Sequence, residues 1–362
     1  MIVTVDLYDL KEAIAHIKPI ASGNQIAALA CVLLDAHGDK LTLEATDMEQ
    51  RISITVDADV DEEGKALISC RKLSDIVPTL YASKVRVCVD SNAATIESGN
   101  ACFNLAKIDT IEYPKWADLP DDAKMFLLTG FRLADLLKRA SMCCSVRDDA
   151  RPALSSVNLV FSDQKMTAVG TDSFIAAELS APYCADQDAS AIVPCKFARF
   201  ISTIFCDYGE ITVRIAGNVI EVSSSSVSVS SRMVETAYPQ TDRLFVCDES
   251  FRARVPYDVL LSMIARSRSV LADREPILIN FSDRLLGISA VSGDGSAFVD
   301  STPADCSGEG ELYVNPSLLM RAVKAVGGPN VELGYIDKLK PLMVYGSGGD
   351  GRSLVMPVRG AA

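Results

Sequence analysis

The chain has 362 residues, 49% of them apolar and 23% charged, with eleven cysteines, two histidines and a net charge of −13. No apolar run approaches the roughly 18 residues of a membrane span, and Met1–Leu10 lacks a basic region followed by an apolar stretch, so no membrane segment or secretory leader is expected and the chain is expected in the cytoplasm. The cysteines form no C-x-x-C pair and only His16 and His37 could assist them, so reduced cysteines serving as small apolar residues are expected, with no metal and no cofactor.

A chain of this length holds two or three domains. Val3-Thr-Val-Asp-Leu-Tyr-Asp-Leu10 reads as a short strand entering a helix over 6–18, with Asp6 as N-cap and Leu10, Ala13 and Ile14 on one face. Lys40-Leu-Thr-Leu-Glu-Ala-Thr-Asp47 is the next strand. Ile52, Ile54 and Val56 alternate as a further one. Ile68-Ser-Cys-Arg-Lys-Leu opens a second strand–helix unit, its helix predicted over 71–83, followed by the alternation of Val85, Val87 and Val89 and by Tyr113-Pro114.

The same order then recurs. Phe126-Leu-Leu-Thr-Gly-Phe-Arg-Leu133 leads into a helix over 129–142, capped at Thr129. Lys165-Met-Thr-Ala-Val-Gly-Thr-Asp172 repeats the Thr-Asp strand end 125 residues on, and Ile192-Val-Pro-Cys-Lys-Phe opens a helix over 195–206. Ser223–Ser231 reads as a strand, because Val227 and Val229 alternate with serine, and Tyr238-Pro239 again lies 125 residues after its counterpart. A third copy begins at Ala253-Arg-Val-Pro-Tyr-Asp-Val-Leu260, with Pro256 at the start of a helix over 256–268; Leu312-Tyr-Val-Asn-Pro-Ser precedes a helix over 315–326. The expected fold class is therefore α+β and antiparallel, in three repeated modules over 1–122, 123–247 and 248–362, with linkers near Asp118–Asp122 and Val246–Ser250.

A net charge of −13 argues against nucleic-acid binding until its distribution is considered. The six predicted helices carry thirteen Lys/Arg against six Asp/Glu, a net of +7, which leaves −20 for the rest of the chain. The excess is +4 and +3 in modules two and three and zero in module one. Selectively basic helices on an acidic body suit sequence-independent contact with phosphates. Lys and Arg are also ordinary residues of exposed helix faces, so charge alone does not decide.

Three motifs fail on context. Gly346-Ser-Gly-Gly-Asp-Gly351 fits G-x-G-x-x-G, but the segment after it reads as a strand, so a hairpin turn is expected and not a dinucleotide site. Asp57-x-Asp59-x-Asp61 has Glu62 where a calcium loop needs glycine, and an acidic hairpin is expected. Asp47 and Asp172 occupy the same place in two repeats, which points to a turn role and not to a catalytic pair.

The threefold repeat, the Thr-Asp strand ends and the C-terminal Leu354-Val-Met-Pro-Val-Arg359 together resemble the bacterial DNA polymerase III beta subunit family, the replicative sliding clamps, over essentially the whole chain. Cys102-Phe-Asn-Leu105 and Glu112-Tyr-Pro114 add to the resemblance. It implies a DNA clamp fold and a head-to-tail homodimer closing into a six-module ring. The helices would line the hole and present Lys11, Arg71, Lys72, Lys138, Arg139, Lys196, Arg199, Arg266, Arg268, Arg321 and Lys324 to double-stranded DNA. Phe103 and Leu105 would meet Val270 and Leu271 of a second copy. A partner-peptide pocket would be formed by Leu154, Thr171, Ser173, Phe174, Ile175, Pro239, Arg243, Leu244, Met356, Pro357, Val358 and Arg359. Implied partners are DNA polymerase, the clamp loader and other proteins with clamp-binding motifs. No chemistry and no membrane contact are implied.

The sequence departs from the family pattern in three places. Many members have Gly-His-Arg-Leu where this chain has Ser173-Phe174-Ile175-Ala176, so the pocket is expected to lose a His and an Arg and to gain apolar surface. The chain ends Gly360-Ala-Ala362 where many members stop at leucine. The loop at Asn24-Gln25-Ile26 lacks the arginine-proline pair that approaches DNA. A divergent clamp is the leading reading. A clamp-like adaptor that binds peptides without a stable ring is the alternative. A repeat-built α+β enzyme would need a cluster of titratable groups that the sequence does not supply.

Overall fold

The computed structural model describes residues 1–21, 26–91, 93–110, 113–116, 119–146, 150–183, 187–246, 248–273, 275–282, 284–306 and 308–359. Asn24, Gln25, Glu112, Asp118 and Gly360–Ala362 lie outside the described residues. The chain folds as two compact units, Met1–Thr129 with Tyr208–Arg232, and Gly130–Asp207 with Met233–Ala362. Among the described residues the strand ladders are antiparallel in both, as the alternating hydrophobic pattern requires for half-buried strands.

The first unit is built on a twelve-stranded sheet. Strand Ile2–Asp6 pairs on one side with Lys84–Val89 and on the other with the far half of the thirteen-residue strand Gln50–Glu62. The serine-rich run forms strand Val227–Arg232, with Val227 and Val229 buried, and pairs with the near half of Gln50–Glu62. Helix α1 (Leu7–Ala21) buries Leu10, Ala13, Ile14 and Ile17. It runs three residues past its predicted end, through Pro19, which lacks only its own N–H donor. Asp6 accepts the Tyr8 N–H at 2.8 Å, as an N-cap should. Helix α2 (Cys70–Ile76) is shorter than predicted. Pro78 lacks an N–H, and the chain tightens into a 3-10 turn over Val77–Thr79.

The acidic hairpin expected at Asp57-x-Asp59-x-Asp61 is instead the extended part of strand Gln50–Glu62. Alternate strand residues share a face, so the three carboxylates line up against neighbouring cations. Asp57 pairs with Lys40, Asp59 with Lys84 at 2.8 Å, and Asp61 with Arg86 at 3.0 Å.

The second unit holds a nine-stranded and a four-stranded sheet and helices α3 (Gly130–Ser141), α4 (Cys195–Ile204), α5 (Tyr257–Arg268) and α6 (Pro316–Val326). Met263 and Ile264 of α5 and Leu319 and Val323 of α6 enter one core with Ile279, Leu286, Ile288, Leu333 and Val344. Asn315 caps α6, accepting from the N–H groups of Ser317 at 2.9 Å and Leu318 at 3.2 Å, with Pro316 at the first helical position. Gly346-to-Gly351 is the hairpin turn between antiparallel strands Leu342–Gly346 and Gly351–Val355. A side chain at Gly346 would meet the Val326 carbonyl at 2.7 Å, so glycine lets this turn close on the end of α6. Cys31, Cys70, Cys143, Cys144, Cys195 and Cys306 are buried free thiols, whereas Cys102 is exposed.

Candidate functional site

The two Thr-Asp strand ends fold into the same turn. Thr46 donates its hydroxyl to the Gln50 carbonyl at 2.8 Å and accepts the Met48 N–H at 3.0 Å. Asp47 Oδ1 accepts from Glu49 at 3.0 Å and Gln50 at 2.7 Å. In the second unit Thr171 donates to the Ile175 carbonyl at 2.7 Å and accepts from Ser173 at 3.2 Å, while Asp172 Oδ1 accepts from Phe174 and Ile175, each at 3.0 Å. Met48 and Ser173 both take the left-handed backbone conformation, with φ of 74° and 77°. Such a conformation costs an L-residue about 1–2 kcal/mol, and the four hydrogen bonds around each turn offset it. The turn role expected for both aspartates is what the structure has.

This turn positions the predicted pocket residues unequally. Phe174 is 61% exposed, whereas Ile175 is 1% exposed and belongs to the core with Cys143 and Val355. The surface gained here is the phenylalanine ring; Ile175 contributes backbone groups, because neighbours along a strand face opposite ways. Leu154 is buried in the 3-10 turn Pro152–Ser155, and its carbonyl accepts the Ser145 N–H at 2.7 Å. Arg151 Nη1 donates to Ser173 Oγ at 3.4 Å.

The C-terminal residues are brought to this turn. Met356 N–H donates to the Phe174 carbonyl and Val358 N–H to the Tyr313 carbonyl, each at 2.8 Å. Between them Pro357 bridges to Val314. Met356, Pro357, Val358 and Arg359 line a cavity of about 430 Å³ with Glu311, Tyr313, Lys338 and Leu339. Of the predicted pocket residues, that cavity holds the C-terminal four; Tyr313 and Leu339 were not found by sequence reasoning, and no motif marks them.

Pro239 and Arg243 are exposed and Leu244 is 43% exposed. The next residue, Phe245, is buried with Ala176, Met343 and Leu354, and Met356 packs against the same cluster. Arg352 lies over the Phe245 ring, 4.8 Å from its centroid, and its Nε donates to Glu178 at 3.0 Å. Phe245 therefore fixes the Arg243–Leu244 segment to the sheet that carries Met356.

The basic helix residues divide into two groups. Arg71, Lys72, Lys138, Lys196, Arg199, Arg266, Arg268 and Lys324 are exposed, while Lys11, Arg139 and Arg321 are half-buried. Several already serve the protein. Lys11 donates to the Leu80 carbonyl at 3.2 Å, Arg199 to the Ser141 carbonyl at 3.2 Å, and Arg266 pairs with Asp300. Arg139 donates to the Ala325 and Val326 carbonyls, each at 2.7 Å, and pairs with Asp350 at 2.9 Å and Asp135 at 3.0 Å. Burial opposes its charge, but the two carboxylates outweigh burial and hold its pKa above the ordinary value. Arg321 donates to the Met142 carbonyl at 2.6 Å, to the Cys144 carbonyl at 2.7 Å and to Asp172 Oδ2 at 2.9 Å. Beside it, burial pushes the Cys143 thiol up to about 12.

Phe103, half-buried, and Leu105, buried, lie in the first unit on strand Ala101–Ile108, which pairs with Ala93–Ser98 through Ala101–Ala106. Among the described residues, pairing on its other side is confined to Lys107 and Ile108. Val270 and Leu271 follow α5 in the second unit and pack partly buried against its core. Glu275 closes this segment, accepting the Ala272 N–H at 2.7 Å and the Gly293 N–H at 2.9 Å. Among the described residues no helix is long and apolar enough to cross a membrane.

Residues 1–117 match the family model of the DNA polymerase III beta subunit, N-terminal domain, and residues 128–240 match that of its central domain. A beta sliding clamp of Staphylococcus aureus is 25% identical over 361 residues, 95% of each chain. A DNA polymerase sliding clamp of Bacillus subtilis has the same fold, with a TM-score of 0.94 at 21% identity over 100% of both chains. A Pseudomonas aeruginosa sliding clamp bound to griselimycin gives a TM-score of 0.94 at 21% identity over 99% of each. From the repeated turns, the antiparallel ladders and these matches one conclusion follows: the chain belongs to the DNA polymerase III beta subunit family, the beta sliding clamps.

Proposed function

We propose that this chain works without chemistry as a processivity factor in the cytoplasm. Two copies close head to tail around double-stranded DNA, and the pocket holds a DNA polymerase there. Tethering raises the effective concentration of the polymerase at its primer end, so re-engagement outruns loss. A clamp loader opens the ring, and other proteins with apolar clamp-binding segments share the pocket.

The observation that carries the pocket reading is the pinning of Met356–Val358 between the Phe174 and Tyr313 carbonyls, beside an exposed phenylalanine and a cavity of about 430 Å³ that Arg359 also lines. A short apolar peptide needs such a preformed recess with a few polar anchors. Ring closure draws support from strand edges. Ala101–Ala106 is paired on one side among the described residues, and strand Ala297–Pro303 is the edge of its four-stranded sheet. Exposed edges invite pairing with another chain. Phosphate contact falls to the exposed Arg71, Lys72, Lys138, Lys196, Arg199, Arg268 and Lys324, without base reading.

Retention on DNA tests the ring. A closed clamp loaded on a nicked circular plasmid stays with it through gel filtration and is lost once the plasmid is linearised. Equal loss from both forms, with binding of a short fluorescein-labelled peptide ending in Leu-Phe intact, would replace the ring by the adaptor reading.

A further inference from the structure

Arg321 sits on α6, among the helix cations that the sequence assigns to DNA, yet its guanidinium is turned to the protein. Nε and Nη2 donate to the Met142 and Cys144 carbonyls at 2.6 and 2.7 Å, and Nη1 meets Asp172 Oδ2 at 2.9 Å. The Asp172 side chain is 10% exposed. Its other oxygen holds the N–H groups of Phe174 and Ile175. The Phe174 carbonyl in turn accepts the N–H of Met356. One unbroken chain of polar contacts thus runs from α6 through the aspartate to the Phe174 turn and on to Met356, which lines the cavity.

We propose that Arg321 is a positioning residue of the peptide pocket: it orients Asp172, and through it fixes the Phe174 turn in the binding-competent shape. The role rests on the pocket reading given above. Three features support it. The planar guanidinium has donors in fixed directions, and here they meet three acceptors on two segments, which an ammonium could not satisfy with the same geometry. The turn carries a strained residue, Ser173 at φ 77°, and two of the four hydrogen bonds that offset the strain end on Asp172 Oδ1, so they depend on how that carboxylate is held. Asp172 is nearly buried, and a carboxylate in that place is stable in one orientation only while its charge is paired. The helix that carries Arg321 is anchored by Asn315 and by its own core residues, so the arginine is a fixed point for the turn.

The equivalent turn at Thr46–Gln50 supplies an internal control, since it has the same hydrogen bonds and lies in the other unit. Hydrogen exchange is measured on the full chain and on Arg321→Met and Arg321→Lys. In Arg321→Met the amides of Phe174 and Ile175 are expected to exchange about tenfold faster, those of Glu49 and Gln50 to stay unchanged, and Arg321→Lys to fall between. The fluorescein-labelled peptide ending in Leu-Phe is then titrated, and its Kd is expected to rise about tenfold in Arg321→Met with partial recovery in Arg321→Lys. Unchanged exchange at 174–175, or equal acceleration at both turns, overturns the positioning role. Faster exchange at 174–175 with an unchanged Kd overturns it as well. Absence of peptide binding by the unmodified chain would instead count against the pocket reading, while the exchange data would still decide what Arg321 does to the turn.

Discussion

Arg139 and Arg321 cap each other's helices. Arg139 of α3 donates to the Ala325 and Val326 carbonyls at the end of α6, and Arg321 of α6 donates to the Met142 and Cys144 carbonyls just past the end of α3. The last carbonyls of a helix have no partner within it, and a cation placed there also meets the negative end of the helix dipole. The exchange satisfies the end of α6 and the turn that follows α3, and ties the two helices together inside the second unit.

Arg139→Met should therefore destabilise that unit. The side chain is 13% exposed, and its loss leaves two carbonyls without their donor. Its carboxylate partners are nearly half exposed and can turn to water, so the carbonyls dominate the cost. A loss of about 2 kcal/mol is expected, read as an earlier midpoint of the second unit's transition in urea, with the first unit's transition unmoved.

Thr171→Val keeps shape and removes the hydroxyl that serves both the Ile175 carbonyl and the Ser173 N–H. Leaving those groups unpaired at a site 5% exposed is expected to cost about 1–3 kcal/mol and to weaken peptide binding. Thr46→Val should cost a similar amount and leave peptide binding unchanged. Paired denaturation and titration experiments check both.

Phe174→Ala separates binding from folding. The ring is 61% exposed, so stability should change by less than about 0.5 kcal/mol. Affinity for the labelled Leu-Phe peptide should fall about tenfold, as for an aromatic anchor at the rim of a pocket. An unchanged Kd by fluorescence anisotropy would remove Phe174 from the recognition surface.

Much of this was legible in the sequence, for reasons of range. The Thr-Asp turns were readable because each is closed by side chains bonding their own backbone a few residues on, so the same short motif gives the same geometry twice. The helices were readable from their apolar spacing, except that α2 ends early because Pro78 supplies no N–H and the chain tightens into a 3-10 turn. The roles of Arg139 and Arg321 were not readable. Their acceptors lie 186 and 179 residues away, and a helix cation aimed at a distant carbonyl looks the same in sequence as one facing solvent. Nothing in the sequence says which of the adjacent apolar residues Phe174 and Ile175 turns inward, and the structure buries Ile175. Phe245 was missed for the converse reason, being one apolar residue in a polar stretch whose cluster is assembled from three other segments.

Glu275 gives the segment around Val270 and Leu271 a pH dependence. Hydrogen bonds from the Gly293 backbone, Ser292 and the Ala272 backbone lower its pKa below 4.5, so it binds protons less readily in the folded chain than in the unfolded one. A carboxyl of this kind contributes stability above its unfolded pKa and loses it as pH falls through the lower folded value. The segment around Val270 and Leu271 should hold its shape at neutral pH and loosen as the pH falls through that lowered value. Glu275→Gln should weaken self-association several-fold at pH 7 and flatten its acid dependence, measured by sedimentation at several pH values.

The most direct test of the clamp itself is its mass in solution, by light scattering at micromolar concentration. Two chains closing one ring give twice 38.8 kDa, and substitution of Phe103 or Leu271 by aspartate should return the protein to 38.8 kDa. A mass of 38.8 kDa for the unmodified chain across the micromolar range would contradict the self-closing ring.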